Sequence, residues 1–171
     1  PMGIDLQING GLGISFNELS KKDLPKLLNL LDQLWIDGIE YICPTLITCR
    51  VSQLRQSLNI LNQARQEHIP NRCELLGAHL EGPFIAKSRV GAHPARDIAS
   101  PNLKELKNRI EGFEKDIKMM TLAPELNGAK DVIKKLNKEK IICCLGHSEA
   151  NQSDSEIAFD NGVTMITHTF N

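Results

Sequence analysis

The stretch LGAHLEGPFI, residues 76–85, begins as an apolar strand and then places two ionisable residues where the chain must turn. His79 and Glu81 lie two positions apart, and Gly82 and Pro83 follow at once. Because side chains alternate along a strand, His79 and Glu81 share one face. A carboxylate left unpaired in a buried place costs several kcal/mol. The stretch therefore predicts a strand end at which Glu81 meets an arginine, another cation or a metal ion.

Apolar, β-rich runs alternate with amphipathic helical patterns on both sides of this stretch. Candidate strands occupy residues 3–8, 39–45, 73–81, 117–123, 141–147 and 164–170. Candidate helices occupy residues 21–38, 51–68, 101–114, 127–139 and 148–162. This alternation, which closes on a final strand, indicates an α/β protein with a parallel sheet wrapped by helices.

Two architectures fit this order, an open doubly wound sheet and most of a (β/α)8 barrel. Nearly every candidate strand ends in or is soon followed by polar residues: Gln7, Asn9, Thr45, Thr48, His79, Glu81, Glu125, His147 and His168. In a flat sheet neighbouring strands are about 5 Å apart, so the ends of distant strands could not meet one ligand. In a barrel they converge, and active sites form there. We therefore predict an incomplete TIM-type (β/α)8 barrel of about six β-α units, with about two units missing.

Three strand ends carry side chains that suit a metal ion. Glu81 supplies a carboxylate, and His147 and His168 supply imidazoles from two other strands. One carboxylate and two neutral imidazoles form a divalent-metal site that leaves a position open for water. This ligand set is expected of a catalytic zinc or iron hydrolase.

Other polar and glycine-rich features receive structural interpretations. His79 is interpreted as a partner that orients the carboxylate of Glu81, and Glu125 as a cap on the helix beginning near Asn127. The glycine-rich run at residues 10–13 lacks the spacing of a dinucleotide fingerprint and is interpreted as a mobile loop.

Composition excludes several classes of function. The chain has 171 residues, 41% of them hydrophobic, and a formal net charge of −1, so it can bury a core but offers no polybasic face for nucleic acid or an anionic membrane. No apolar run approaches the roughly 20 residues of a membrane-spanning helix, and no secretory signal is visible. Five cysteines without a CxxC pair indicate reduced thiols in a cytoplasmic protein.

Seven motifs carry a resemblance to a known family. GIDLQINGG, PTLIT, HLEGPFI, GAH, TLAPE, LGHS and THTFN occur in this order over nearly the whole chain. In order and spacing they closely resemble the N-acetylglucosamine-6-phosphate deacetylase family of the amidohydrolase superfamily. The resemblance implies a metal-dependent hydrolase that removes acetate from N-acetylglucosamine 6-phosphate and leaves glucosamine 6-phosphate.

The resemblance also implies a metal site. Glu81, His147 and His168 match the family's metal ligands. Many superfamily members carry two histidines at the end of the first strand for a second metal ion, but Gln7 and Asn9 occupy those positions here. Neutral amides are poor ligands, so the expected cofactor is one divalent ion, zinc or iron(II).

Substrate contacts are implied in the same way. His93 matches a histidine that contacts the substrate near its acetamido group, where it would polarise the amide carbonyl. Ala92 matches a backbone contact to the substrate, and Asn171 matches a residue that helps to hold the phosphate. The family's proton-shuttling aspartate and a further substrate-binding histidine lie on later strands, which this sequence does not contain.

Residues 1–171 are therefore expected to form a partial metal-dependent amidohydrolase barrel, without the later strands and the family's β-sandwich. The resemblance further suggests a homodimer of the full-length protein, in which the partner subunit helps to hold the phosphate. Two alternatives remain open at this point. The chain could be a catalytically incomplete module that binds metal or sugar phosphate, or an amidohydrolase that acts on cyclic amides or nucleobases.

Overall fold

The computed structural model describes residues 2–170. Its strands are β1 (Gly3–Ile8), β2 (Gly10–Gly11), β3 (Ile14–Ser15), β4 (Ile39–Ile47), β5 (Glu74–Leu75), β6 (Ala78–Glu81), β7 (Ile117–Leu122), β8 (Ile142–Leu145) and β9 (Val163–Ile166). Its α-helices are α1 (Leu24–Ile36), α2 (Val51–Gln66), α3 (Leu103–Ile110), α4 (Ala129–Lys138) and α5 (Gln152–Asp160). Strands β1, β4, β6, β7, β8 and β9 pair in this order and are all parallel, and β5 pairs with β4.

The main sheet is curved. Glu81 at the end of β6 is hydrogen-bonded at 2.9 Å both to Gln7 on β1 and to His168, which follows β9. In a flat sheet with strands about 5 Å apart, side chains from these three strands could not meet. The helices cover the outer face, as parallel strands require. The predicted incomplete (β/α)8 barrel is therefore confirmed in preference to an open doubly wound sheet.

Both faces of the sheet are covered, which explains why its strands read as continuous apolar runs. On β7, Met120 and Leu122 point outwards into the main core, which the helices share. Met119 points to the inner face, where it packs with Cys43 and Cys144. All five cysteines lie in the described residues and are buried free thiols. No helix within residues 2–170 combines the length and the apolar character needed to cross a bilayer.

Three segments differ from the sequence-based expectation. The strand predicted at residues 73–81 is interrupted at Gly77, which has a φ of +125° and where an added Cβ would lie 3.1 Å from the Lys118 backbone nitrogen. The last strand ends at Ile166, so His168 lies in the following turn. The run at residues 10–13, interpreted as a mobile loop, instead contains β2, which pairs antiparallel with β3 to form a hairpin.

Candidate metal centre and its surroundings

The three predicted metal ligands converge at the carboxyl ends of the strands. One ligand atom each from Glu81, His147 and His168 lies within 4.8 Å of the other two. The Nε2 atoms of both histidines are 2.9 Å from the same oxygen, Oε1 of Glu81. Both histidines have a left-handed backbone, with φ of +50° at His147 and +59° at His168, and each lies two residues beyond the end of its strand. The turns after β8 and β9 thus direct two rings at one carboxylate.

The hydrogen bond at Nδ1 of His147 determines whether Nε2 carries a proton or a lone pair. Its Nδ1 lies 2.8 Å from the carbonyl oxygen of Arg89, which can only accept a hydrogen bond. Nδ1 therefore carries a proton, and in the neutral ring Nε2 presents a lone pair to Glu81. A lone pair and a carboxylate oxygen repel unless a proton or a metal ion joins them. The donor set therefore fits a divalent cation.

The electrostatics of Glu81 keep it ionised. Burial alone would raise the pKa of this carboxyl, but the hydrogen bonds that protonated His147 and Gln7 donate, together with the charge of His147, lower its pKa to about 2. The hydrogen bond to Glu81 in turn raises the pKa of His147 above its ordinary value. A carboxylate that stays charged at neutral pH is the form that binds a metal ion.

His93 is held by the same nitrogen, Nδ1, but there the nitrogen accepts a hydrogen bond. Its Nδ1 accepts a hydrogen bond from the Thr48 backbone N–H at 3.2 Å and lies 2.9 Å from the Thr48 hydroxyl. In the neutral ring the proton is therefore on Nε2, which faces Oε2 of Glu81 at 3.8 Å. Burial, followed by the charge of His147, lowers the pKa of His93 to about 4. His93 is thus a neutral N–H donor at neutral pH.

A glycine makes the contact between Thr48 and His93 possible. Gly82 directly follows Glu81 and has a φ of +85°. A Cβ at this position would lie 2.2 Å from Oγ1 of Thr48. Any larger residue would therefore displace the hydroxyl that holds His93.

These groups open into one cavity of about 580 Å³. Residues predicted to act at the site line it: Gln7, Asn9, Glu81, Ala92, His93, His147 and His168. Ala92 is exposed on its wall, as a backbone contact to a substrate would require. Asn171, predicted to help hold a phosphate, lies outside the described residues.

The prediction that His79 orients Glu81 by a direct contact is wrong. Within the described residues its ring makes no hydrogen bond to Glu81, although both side chains lie on the same face. Its Nε2 is 2.7 Å from the Thr121 hydroxyl, and its Nδ1 is 3.3 Å from the Leu6 carbonyl oxygen. The carboxylate is oriented instead by Gln7, whose Nε2 donates to Oε2 at 2.9 Å. The sequence alone indicated only that Gln7 is a poor ligand.

The interpretation of Glu125 as a helix cap is also wrong. Its carboxylate accepts hydrogen bonds from the Ser148 hydroxyl at 2.6 Å and from the Glu149 backbone N–H at 2.7 Å. Gly128, not Glu125, occupies the position before α4. The chain leaving β7 turns towards the chain leaving β8, so Glu125 braces the turn that carries His147.

Relatives with assigned names match the whole chain. N-acetylglucosamine-6-phosphate deacetylases of Caenorhabditis elegans and Danio rerio are each 36% identical to it, over 100% of this chain and 42% of theirs. An N-acetylgalactosamine-6-phosphate deacetylase of Escherichia coli O157:H7 is 30% identical, over 100% of this chain and 44% of its own. The chain thus spans about two fifths of the length of these relatives. No family model matches it.

Solved structures agree with these relatives. The N-acetyl-D-glucosamine-6-phosphate deacetylase of Mycobacterium smegmatis superposes with a TM-score of 0.88 and 26% identity, over 100% of this chain and 43% of its own. A variant of the Mycobacterium smegmatis enzyme, solved in complex with N-acetyl-D-glucosamine-6-phosphate, gives 0.86 and 27% over the same shares. The Pasteurella multocida enzyme gives 0.84 and 28%, over 99% of this chain and 43% of its own. The resemblance of this chain to the N-acetylglucosamine-6-phosphate deacetylases is therefore confirmed along all 171 residues.

Proposed function

We propose that this protein is an N-acetylglucosamine-6-phosphate deacetylase, an amide hydrolase of amino-sugar metabolism that releases acetate and glucosamine 6-phosphate. The observation that carries the proposal is the convergence of Glu81, His147 and His168 within 4.8 Å, with the Nε2 of His93 beside them at 3.8 Å from Glu81. Names of relatives and of superposed structures support the substrate class.

In this proposal Glu81, His147 and His168 hold one divalent ion, zinc or iron(II). Both ions accept one carboxylate and two imidazole nitrogens. When bound, such an ion supplies Lewis-acid activation of water and of the amide carbonyl. Gln7 supports a single-ion site, because its amide already donates to the second oxygen of Glu81.

His93 has the protonation state that its proposed role needs. Thr48 occupies Nδ1, so the Nε2 proton is directed towards the ion site and the cavity. From there it would donate to the amide oxygen as negative charge develops in the transition state. The exposed backbone at Ala92 is proposed as a second contact to the sugar, and Asn171 as a contact to the phosphate.

The step that protonates the leaving amine is not assigned to a residue of this chain. The resemblance places a proton-shuttling aspartate on a later strand, and this chain spans about two fifths of its relatives' length. A second candidate is a module that binds metal and sugar phosphate without turnover. We therefore propose residues 1–171 as the part that holds the metal ion and polarises the carbonyl.

A substrate panel tests the proposal. The 171-residue chain is loaded with zinc or iron(II) and incubated with N-acetylglucosamine 6-phosphate, N-acetylgalactosamine 6-phosphate and a cyclic amide, and acetate or ring opening is measured. Acetate release by the unaltered chain, and its loss in the Glu81→Gln variant, would support the deacetylase. Binding of the sugar phosphates without release would support the binding module, and turnover of the cyclic amide alone would contradict both.

Two further properties belong to the proposal. The buried free thiols support a reducing compartment, so we propose a cytoplasmic location. We also propose a homodimer of the full-length protein. Sedimentation at several protein concentrations tests the dimer, and a monomer at every concentration would contradict it.

A further inference from the structure

His79 is a buried polar side chain outside the proposed metal-ligand set. Only 2% of the surface of His79 is accessible to solvent. Oxygens from three other strands surround the ring: the Leu6 carbonyl on β1, the Thr45 hydroxyl on β4 and the Thr121 hydroxyl on β7. A buried ring in contact with four strands, counting its own, restricts how those strands move relative to one another.

The hydrogen bonds of this ring have one consistent direction. The Leu6 carbonyl can only accept, so Nδ1 of His79 carries the proton. The Thr45 hydroxyl donates to the Cys43 carbonyl at 3.2 Å and therefore turns a lone pair to the same nitrogen, 3.4 Å away. The neutral ring then presents a lone pair at Nε2, to which the Thr121 hydroxyl donates at 2.7 Å.

The chain of hydrogen bonds continues to the turn that carries His168. Because the Thr121 hydroxyl gives its proton to His79, its oxygen accepts from the Thr167 hydroxyl, 2.8 Å away. Gly146 makes room for this contact, since a Cβ there would lie 2.8 Å from Thr121 Cγ2 and 2.9 Å from Thr167 Cβ. Thr167 directly precedes His168.

The other end of this series of hydrogen bonds also lies beside the metal centre. Leu6, which accepts the Nδ1 proton, directly precedes Gln7, and Gln7 donates to Oε2 of Glu81. His168, at the opposite end, contacts Oε1 of the same carboxylate. The ring of His79 thus connects the residue before Gln7 on β1 with the residue before His168 in the turn after β9. Gln7 and His168 are the two groups that contact Glu81 from these elements.

We propose that His79, in its Nδ1-protonated form, is a positioning residue that holds Gln7 and His168 at their places on either side of Glu81. It acts through the Leu6 carbonyl on one side and through Thr121 and Thr167 on the other. Hydrogen-bond partners beyond the ligands commonly change metal affinity 10–100-fold when they are removed. The inference deepens the proposed function and rests on its metal site.

Thr121→Val is the most direct test, because it keeps the shape and removes both hydrogen bonds of the hydroxyl. We expect the zinc affinity of the 171-residue chain, measured by competition with a chelating dye, to fall at least about tenfold. Thr121→Ser restores the hydroxyl and should restore affinity. Thr45→Val is the matched control, because it removes an equally buried hydroxyl and leaves the chain from His79 to Thr167 intact, so we expect a change within about twofold.

A spectroscopic measurement separates positioning from general stability. Long-range ¹H–¹⁵N correlation spectra of the metal-free protein should show His79 with its proton on Nδ1, and Thr121→Val should change the Nε2 resonance while Thr45→Val does not. If Thr121→Val does not fold, Thr167→Val is the alternative, because Thr167 is partly exposed. It removes the hydroxyl that donates to Thr121, the last donor in the series of hydrogen bonds, and should also lower zinc affinity.

The inference and the proposed function fail in different ways. Zinc binding by the unaltered chain, with equal affinity in Thr121→Val and Thr45→Val, would overturn the role of His79 and leave the metal site intact. A proton on Nε2 of His79 in the metal-free protein would overturn it as well. Failure of the folded, unaltered chain to bind zinc would instead contradict the proposed metal site.

Discussion

His93 and His147 are neighbouring imidazoles, with ring centroids 4.4 Å apart. Both are held by a hydrogen bond at Nδ1, but the direction of that bond differs. Nδ1 of His147 donates to the Arg89 carbonyl, whereas Nδ1 of His93 accepts from the Thr48 backbone N–H. One ring therefore presents a lone pair and the other an N–H. The comparison teaches that the partner on the far side of a ring decides whether a histidine suits a metal ion or a carbonyl oxygen.

Glu81→Gln should have the largest effect, because this carboxylate faces both rings. The amide keeps the shape but loses the charge that attracts a cation. We expect zinc affinity to fall at least about a hundredfold, beyond the range typical of residues outside the ligand set. Isothermal titration with zinc measures it. Circular dichroism is the control for folding, and undiminished affinity in a folded variant would contradict the ligand assignment.

Exchanging each histidine in turn should separate the two roles. His147→Gln should remove most zinc binding, because the lone pair directed at Glu81 is lost. His93→Gln should leave zinc affinity within about threefold, while any acetate release falls about 10²–10³-fold with the loss of one donor to the developing oxyanion. Equal losses of zinc affinity in both variants would remove the distinction between the rings.

The pH dependence of metal binding should follow His147 rather than His93. The pKa of His147 is raised by its hydrogen bond to Glu81, so a proton competes with the metal ion already above the ordinary range of histidine. Zinc affinity should therefore fall as pH falls through that raised pKa, by up to about tenfold per pH unit for one competing proton. Titrations at several pH values test this, and a pH-independent affinity would contradict it.

His93 should not change charge over the same pH range. Its pKa of about 4 means that the folded protein keeps it neutral while the unfolded chain protonates it near pH 6.5. Because the unfolded state binds more protons between these values, His93 should make the metal-free protein less stable as pH falls from about 6.5 to 4. A smaller acid destabilisation in His93→Gln than in the unaltered protein, measured by urea unfolding, would confirm this sign, and an unchanged one would contradict it.

Thr48→Val should give the smallest effect and sharpens the comparison further. The variant loses the hydroxyl beside Nδ1 of His93 but keeps the backbone N–H that sets its protonation. We expect about 1 kcal/mol lower stability, the usual contribution of one hydrogen bond, and unchanged zinc affinity. Urea unfolding and zinc titration check both. A loss of zinc affinity would show that His93 is coupled to the ligands more tightly than its 3.8 Å distance to Glu81 indicates.

Sequence alone predicted the barrel and the ligand cluster because both depend on residue type and strand order. Glu81 ends one strand, His147 and His168 follow two others, and a curved parallel sheet brings such positions together. The protonation of the rings was not predictable in this way. It depends on the Arg89 carbonyl, a backbone group with no sequence signal, located 58 residues from His147.

The roles of Gln7, His79 and Glu125 were missed for a related reason. Each side chain can hydrogen-bond to several neighbours, and only the curvature of the sheet decides which one it reaches. Gln7 reaches across β4 to Glu81, and His79 turns away from Glu81 towards β1 and β7. Position along the chain fixed the face on which these side chains lie, but not their partners.

Metal content per chain, measured by elemental analysis after dialysis against metal-free buffer, tests the central claim most directly. We expect about one equivalent of a divalent metal in the 171-residue chain and none in Glu81→Gln, because three ligands from three strands suffice for one ion. A folded sample without metal, or a Glu81→Gln variant that retains it, would contradict the site described for Glu81, His147 and His168.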